Sequence, residues 1–205
     1  MSRKIVGLVV AVAFVALLSP PLERALVATM PRLLLAEVPA LLALGLIAGS
    51  LRRSGPLRFD PNGLASLAFF AGALGFWMIP RAVDAVALGT IAATAMRVSL
   101  FSAGAFLGVG LRVMPFVARG ALAVYSVAMV FALGLIYSNY RALLCSSFTL
   151  SDQLMVGKTL LYLTPVALVT GITLTARSLR RELPHSKTHG RVELRGAETA
   201  RARSR

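Results

Sequence analysis

The sequence predicts an all-α fold, a polytopic membrane helix bundle of about six transmembrane helices with both termini on the inner side. Three observations predict it. Hydrophobic residues make up 57% of the 205 residues and charged residues only 15%, and the mean hydropathy is +0.77. The apolar residues gather in runs of about 17–25, the length that crosses a hydrocarbon core. Lys and Arg are concentrated in alternate connecting segments, as the positive-inside rule requires. A soluble domain of this size would expose apolar patches large enough to aggregate, whereas lipid accepts such faces.

The elements follow in order. A first helix is expected from Ile5 to about Leu18, stopped by Pro20 and Pro21, which cannot continue a helix. Arg3 and Lys4 ahead of it give it the look of a signal peptide; it is read as a retained helix. The second runs from about Val27 to Gly49. The segment Ser50–Gly63, with Arg52, Arg53, Arg58, Asp60, Pro61 and Gly63, has turn chemistry and no apolar period. Helix three is expected from about Leu64 to Ile79, closed by Pro80. Helix four should span about Ala85 to Leu111 and helix five about Ala121 to Tyr137. The more polar Ser138–Lys158 has room for a short interfacial helix, and helix six follows from about Thr159 to Ala176. Residues 1–176 thus form a six-helix transmembrane domain and residues 177–205 a basic cytoplasmic tail.

The net charge of +14 is a topology signal rather than a nucleic-acid footprint. Nine of the 22 Lys and Arg residues follow Thr175, in a tail with three glutamates. The inner segments also carry Arg3, Lys4, Arg52, Arg53, Arg58, Arg112 and Arg119. The outer ones carry Arg24, Arg81, Arg141 and Lys158, with Arg32 where helix two begins, and the acids Glu23, Asp84 and Asp152. The tail suits either an anionic lipid surface or an acidic partner.

Small residues recur on helices three and four: Gly72, Ala73 and Gly75, then Gly104, Gly108 and Gly110. They permit close helix contact in lipid. Glu37 and Arg97 lie deep in apolar sequence, at similar depth near the midplane. A lone charge there costs at least about 2.5–3.5 kcal/mol, so an ion pair between them is expected. Its first reading is a staple between two helices, because a relay needs more carriers. The other is an ion or proton path.

Metal and catalytic chemistry have little to stand on. Met30, Met78, Cys145 and Met155 fall near the outer face, and soft sulfur suits Cu(I). Methionine in an apolar bundle is ordinarily packing, so no metal or cofactor is expected. One cysteine excludes an intrachain disulfide. His185 and His189 both lie in the tail and read as solvated. Without histidine, the membrane domain cannot hold a Ser–His–Asp or Cys–His arrangement, so the chain is not expected to be an enzyme.

Three stretches resemble one family. Phe76-Trp77-Met78-Ile79-Pro80-Arg81-Ala82-Val83-Asp84-Ala85 resembles the FWHLPxxYDAA stretch of the CtaG-type cytochrome c oxidase assembly factors. Arg32-Leu33-Leu34-Leu35-Ala36-Glu37-Val38-Pro39-Ala40-Leu41-Leu42-Ala43-Leu44-Gly45 is similar to that family's HLLL…PPLLxLG helix. Leu150-Ser151-Asp152-Gln153-Leu154-Met155-Val156-Gly157 resembles its LxDQQLAG turn. Order and spacing agree over roughly residues 27–175. The resemblance implies a polytopic assembly factor in the respiratory chain, of a family implicated in copper delivery to heme-copper oxidases. On this alignment the family's histidines fall at Arg32, Met78 and Arg97. Arg stays protonated and does not bind metal, which leaves Met78 alone as a soft ligand. The expectation is therefore a non-catalytic accessory subunit or assembly factor in a bacterial inner membrane, in contact with lipid and with other membrane subunits, those of a heme-copper oxidase first among them. The alternative is a small transporter or channel that uses Glu37 and Arg97.

Overall fold

A computed structural model describes residues 3–52, 58–140, 147–173 and residue 176. Among these the chain is all helical, without a β-strand, as backbone in lipid must be when no sheet closes on itself. The expected tail, residues 177–205, and with it His185 and His189, lies outside the described residues.

Helix α1 is Arg3–Leu17 and the short α2 is Pro20–Val27, opened by the prolines that end α1. Helix α3 covers Arg32–Leu51. Its first part, Arg32–Glu37, is a π-helical turn in which the Val38 amide bonds the Leu33 carbonyl. The cause is Pro39, whose ring would strike the carbonyl four residues earlier in a regular helix and has no N–H to offer it. Helix α4 is Leu64–Trp77, α5 Pro80–Leu88, α6 Thr90–Gly110, α7 Phe116–Asn139 and α8 Leu150–Thr173.

Two expectations change here. Pro80 closes one helix and also opens another, so that α5 stands at 72° to α4. Gly89, extended at φ −141° and ψ 127°, then separates α5 from α6. The expected single helix from Ala85 is therefore two. The Ser138–Lys158 segment holds no separate interfacial helix among its described residues. Instead α8 starts at Leu150, where the Thr149 hydroxyl oxygen accepts the Asp152 amide at 3.2 Å and caps the helix. Among the described residues four helices are long and apolar enough to cross a bilayer, α3, α6, α7 and α8, and the bent pair α4–α5 adds a fifth if the two count as one span. At 15 residues α1 is shorter than these.

Helices α3 and α6 run in close contact along much of their length. Gly45 and Gly49 of α3 lie against the backbone of Phe101 and Ala105, and Gly104 and Gly108 of α6 against that of Leu42 and Leu46. A β-carbon at any of the four would collide with a carbonyl oxygen. Two small-xxx-small pairs thus interlock. Of the glycines expected to pack, Gly72 meets nothing, because it faces outward from α4. The end of the bundle where α6 begins is called upper below, and the end where it finishes lower.

At the lower end the chain is pinned twice. The Arg112 guanidinium donates to the carbonyls of Ser50 and Arg52 (2.6 Å for the latter), closing the free end of α3 with a cation where the helix dipole is negative. The Asp60 carboxylate accepts the amides of Ala65 (3.1 Å) and Ser66 (2.9 Å) and the Ser66 hydroxyl (2.5 Å), capping α4. Gly63, at φ +69°, makes the turn between them. Burial pushes the Asp60 carboxyl up, but the hydrogen bonds from Ser66, Ala65 and Gly63 outweigh it and hold the pKa below the ordinary 3.8.

Two predictions follow from this packing. Gly45→Ala or Gly104→Ala should lower the detergent-solubilised protein's unfolding free energy by about 1–3 kcal/mol through overpacking. Gly72→Ala should leave it unchanged or raise it by up to about 1 kcal/mol, since alanine is the better helix former. Asp60→Asn should cost about 1 kcal/mol at pH 7. Since the folded pKa is lowered, the carboxylate stabilises the fold above its unfolded value of about 4 and loses that contribution as pH falls through the folded one. Melting curves of wild type and variant should therefore converge below about pH 4.

Candidate functional site

The site is the ionic contact between α3 and α6. Arg97 Nε donates to Glu37 Oε1 at 2.5 Å, and both side chains are 0% exposed. Glu37 is the last residue of the π-helical turn, and the extra residue in that turn sets the angle at which it leaves the helix. Thirteen residues separate Arg97 from the lower end of α6 at Gly110, and fourteen separate Glu37 from that of α3 at Leu51. At about 1.5 Å per residue both charges stand about 20 Å above the lower ends. Because α6 begins at Thr90, Arg97 is only about 10 Å below its upper end. The pair thus sits in the upper half of the bundle rather than at its middle.

An apolar core surrounds this level, built from Met30, Leu33, Leu41, Met78, Val83, Met96 and Leu100, with Tyr137, Phe148 and Val156 from the α7–α8 side. Polar contacts brace this core. Trp77 Nε1 donates to Ser99 Oγ at 2.7 Å, tying the end of α4 to α6. The buried Tyr137 hydroxyl donates to the Met78 carbonyl at 3.5 Å, tying α7 to the bend. Asp84 accepts the Ser147 amide at 3.0 Å, joining α5 to the segment before α8. Gln153, 1% exposed, donates to the Tyr140 carbonyl at 3.1 Å and holds α8 to the end of α7.

The structure sorts the residues singled out in the sequence. Glu37 and Arg97 meet. Met78, Pro80, Asp84 and Gln153 lie toward the upper end, Trp77 binds Ser99 about half a turn below Arg97, and Asp152 contributes its amide to the cap on α8. Arg32 does not join: it is exposed and donates to the Ala25 carbonyl of α2 at 3.3 Å. Of the sulfur set, Met30 and Met78 are buried in the same core, whereas Met155 is 58% exposed and cannot share a ligand with them. Cys145 lies outside the described residues. The positions where the resemblance would place imidazoles do not fit a copper ion, since Arg97 is held by Glu37 and Arg32 points outward. Among the described residues no three His, Cys, Asp or Glu side chains gather as a metal site.

Sequence reasoning missed the glycines of α3 and the two capping side chains, Asp60 and Arg112. Gly45 and Gly49 carry a signal in their four-residue spacing, which matches that of Gly104 and Gly108. Arg112 carries none, because its acceptors lie sixty residues away in the sequence.

The arrangement defines a class: an integral membrane helix bundle whose buried charges face each other. No family model matches the chain, and neither a curated protein nor a solved structure matches it.

Breaking the pair tests its role. Glu37→Leu and Arg97→Leu should each destabilise by about 3–5 kcal/mol, since each strands a buried charge. The double variant should recover most of that loss, as apolar replacements of whole buried pairs do. Denaturation in mixed micelles measures all three; a double variant no more stable than the singles refutes the staple.

Proposed function

We propose that this chain is a non-catalytic accessory subunit or assembly factor of a membrane respiratory metalloenzyme, a heme-copper oxidase in the first instance. The observation that carries the reading is a division of labour among the helices. Helices α3 and α6 are tightly built, with 39% and 44% of their spans buried, whereas α7 and α8 are 11% buried each. The hairpin of α7 and α8 presents Val117, Val124, Tyr162 and Val166 outward, each more than half exposed. Between its helices runs an open apolar groove of about 640 Å³, bounded by Phe116, Val124 and Phe131 on one side and by Leu168, Gly171 and Ile172 on the other. A locked half and an open half suit a protein that holds its own shape while offering helix faces to neighbours. The oxidase context comes from the resemblance of residues 27–175 to CtaG-type assembly factors, in a form without copper ligands.

The topology belongs to the same reading. We take α1 as a sixth span with its N-terminus inside, the chain lying in a bacterial inner membrane. In support, α1 packs along α3, and Phe14 stacks on Phe101 of α6 at 4.1 Å between ring centroids. That contact brings Arg3 level with the lower ends of α3 and α6, among Arg52, Arg58, Arg112 and Arg119. The lower end is then cytoplasmic.

One observation favours transport as a second reading: a π-helical turn places an acid inside a span, and such turns gather at functional sites. Purification from native membranes in mild detergent separates the two. The accessory reading expects oxidase subunits and heme absorbance to travel with the chain in constant ratio. A chain that purifies alone and heme-free, and whose liposomes pass protons until Glu37→Gln stops them, is a transporter.

A further inference from the structure

Arg52 ends α3 at the lower end of the bundle. Its amide donates to the Gly49 carbonyl at 3.3 Å, and its carbonyl accepts Arg112 Nη1 at 2.6 Å, so its backbone is fixed from both sides. Its guanidinium donates no hydrogen bond to, and forms no ion pair with, the described residues. This cation lines one end of a groove of about 290 Å³ between α3 and α6. The groove exists because Ala48, Gly49 and Ser102 are small where the two helices run closest. Phe101 and Phe106 bound it, and both are held: Phe101 by stacking on Phe14, Phe106 by edge contacts with Phe59 and Phe69 at 6.2 and 5.6 Å.

Charge around the opening is one-sided. Arg52, Arg58, Arg112 and Arg119 lie at this end, and the acid described there, Asp60, already spends its carboxylate on Ala65 and Ser66. An anion is therefore attracted to the Arg52 end while an apolar chain is accepted beyond it. From Val109 up to Phe101 the groove extends about 12 Å, less than half a hydrocarbon core. That seats the first part of one acyl chain, whereas a transmembrane helix about 10 Å across does not enter a furrow this small.

We propose that this groove binds one anionic phospholipid, its phosphate oxygens accepting hydrogen bonds from the Arg52 guanidinium and one acyl chain lying between α3 and α6. The site would fix lipid at the seam on which the bundle is built. The inference rests on the bundle spanning a membrane and not on the assembly reading, so it stands or falls whatever co-purifies.

The test uses the full chain in mixed micelles with phosphatidylglycerol that carries a photoactivatable diazirine near the top of one acyl chain. Irradiation and peptide mapping should place the label on residues 101–109. Arg52→Gln should cut that label about fivefold, the factor that matches about 1 kcal/mol per basic residue near an anionic lipid. Ser102→Phe, and Ala48→Leu as a second variant should the first fail to fold, should remove it by filling the groove. Circular dichroism and gel filtration confirm that the variants are folded. Equal labelling by the phosphatidylcholine analogue, or undiminished labelling in Arg52→Gln, overturns the proposal. Label confined to peptides outside α3 and α6 does so as well.

Discussion

Everything else in the structure hangs on the contact between α3 and α6. Four glycines let the two backbones touch, and one ion pair crosses the seam at a single level. These features reinforce each other. Close approach excludes both lipid and water, so the charges see a low dielectric and attract strongly. The same exclusion makes a lone charge there expensive, so any register other than the one that matches Glu37 to Arg97 is disfavoured. The glycines supply proximity, and the charges supply register.

The bracing around the pair depends on that register. Trp77 reaches Ser99, two residues beyond Arg97, only if α6 is held where the ion pair puts it. The bend between α4 and α5 then carries Met78 to Tyr137 and Asp84 to Ser147, which brings α7 and the start of α8 over the core. The α7–α8 hairpin has its own small-residue contact, Gly157 against the backbone of Tyr137 and Ser138, and joins the rest along one face, where the Tyr125 hydroxyl donates to the Ala71 carbonyl at 2.7 Å, while most of its surface stays open. In water such a hairpin would be an aggregation hazard. In lipid it is a surface on which another helix or a lipid tail can rest.

How much of this the sequence makes legible varies residue by residue. Glu37 and Arg97 are conspicuous because charge in an apolar run is costly and has few remedies. Their depth is harder to judge, because Gly89 breaks a stretch that hydropathy alone reads as continuous. The lower caps are harder still. Asp60 acts over five or six residues, within reach of a turn motif, but Arg112 acts across the whole of α4, α5 and α6. Nor does residue type separate Met30, buried at 0%, from Met155, exposed at 58%.

By itself the sequence determined an all-helical chain with apolar spans, the stops at Pro20 and Pro80, and the presence of two charges that must find partners. These follow from the local chemistry of each segment and from the cost of exposing backbone or charge to lipid. Only the tertiary structure decided which helices touch, that Gly45 and Gly49 face Gly104 and Gly108 while Gly72 faces outward, that Arg32 leaves the core, and that α5 turns 72° from α4. The physical reason is that lipid and protein interior are almost equally apolar, so hydropathy fixes that a residue is in the membrane and is silent on which way it faces. Shape and paired polarity decide that, and both are properties of two helices together.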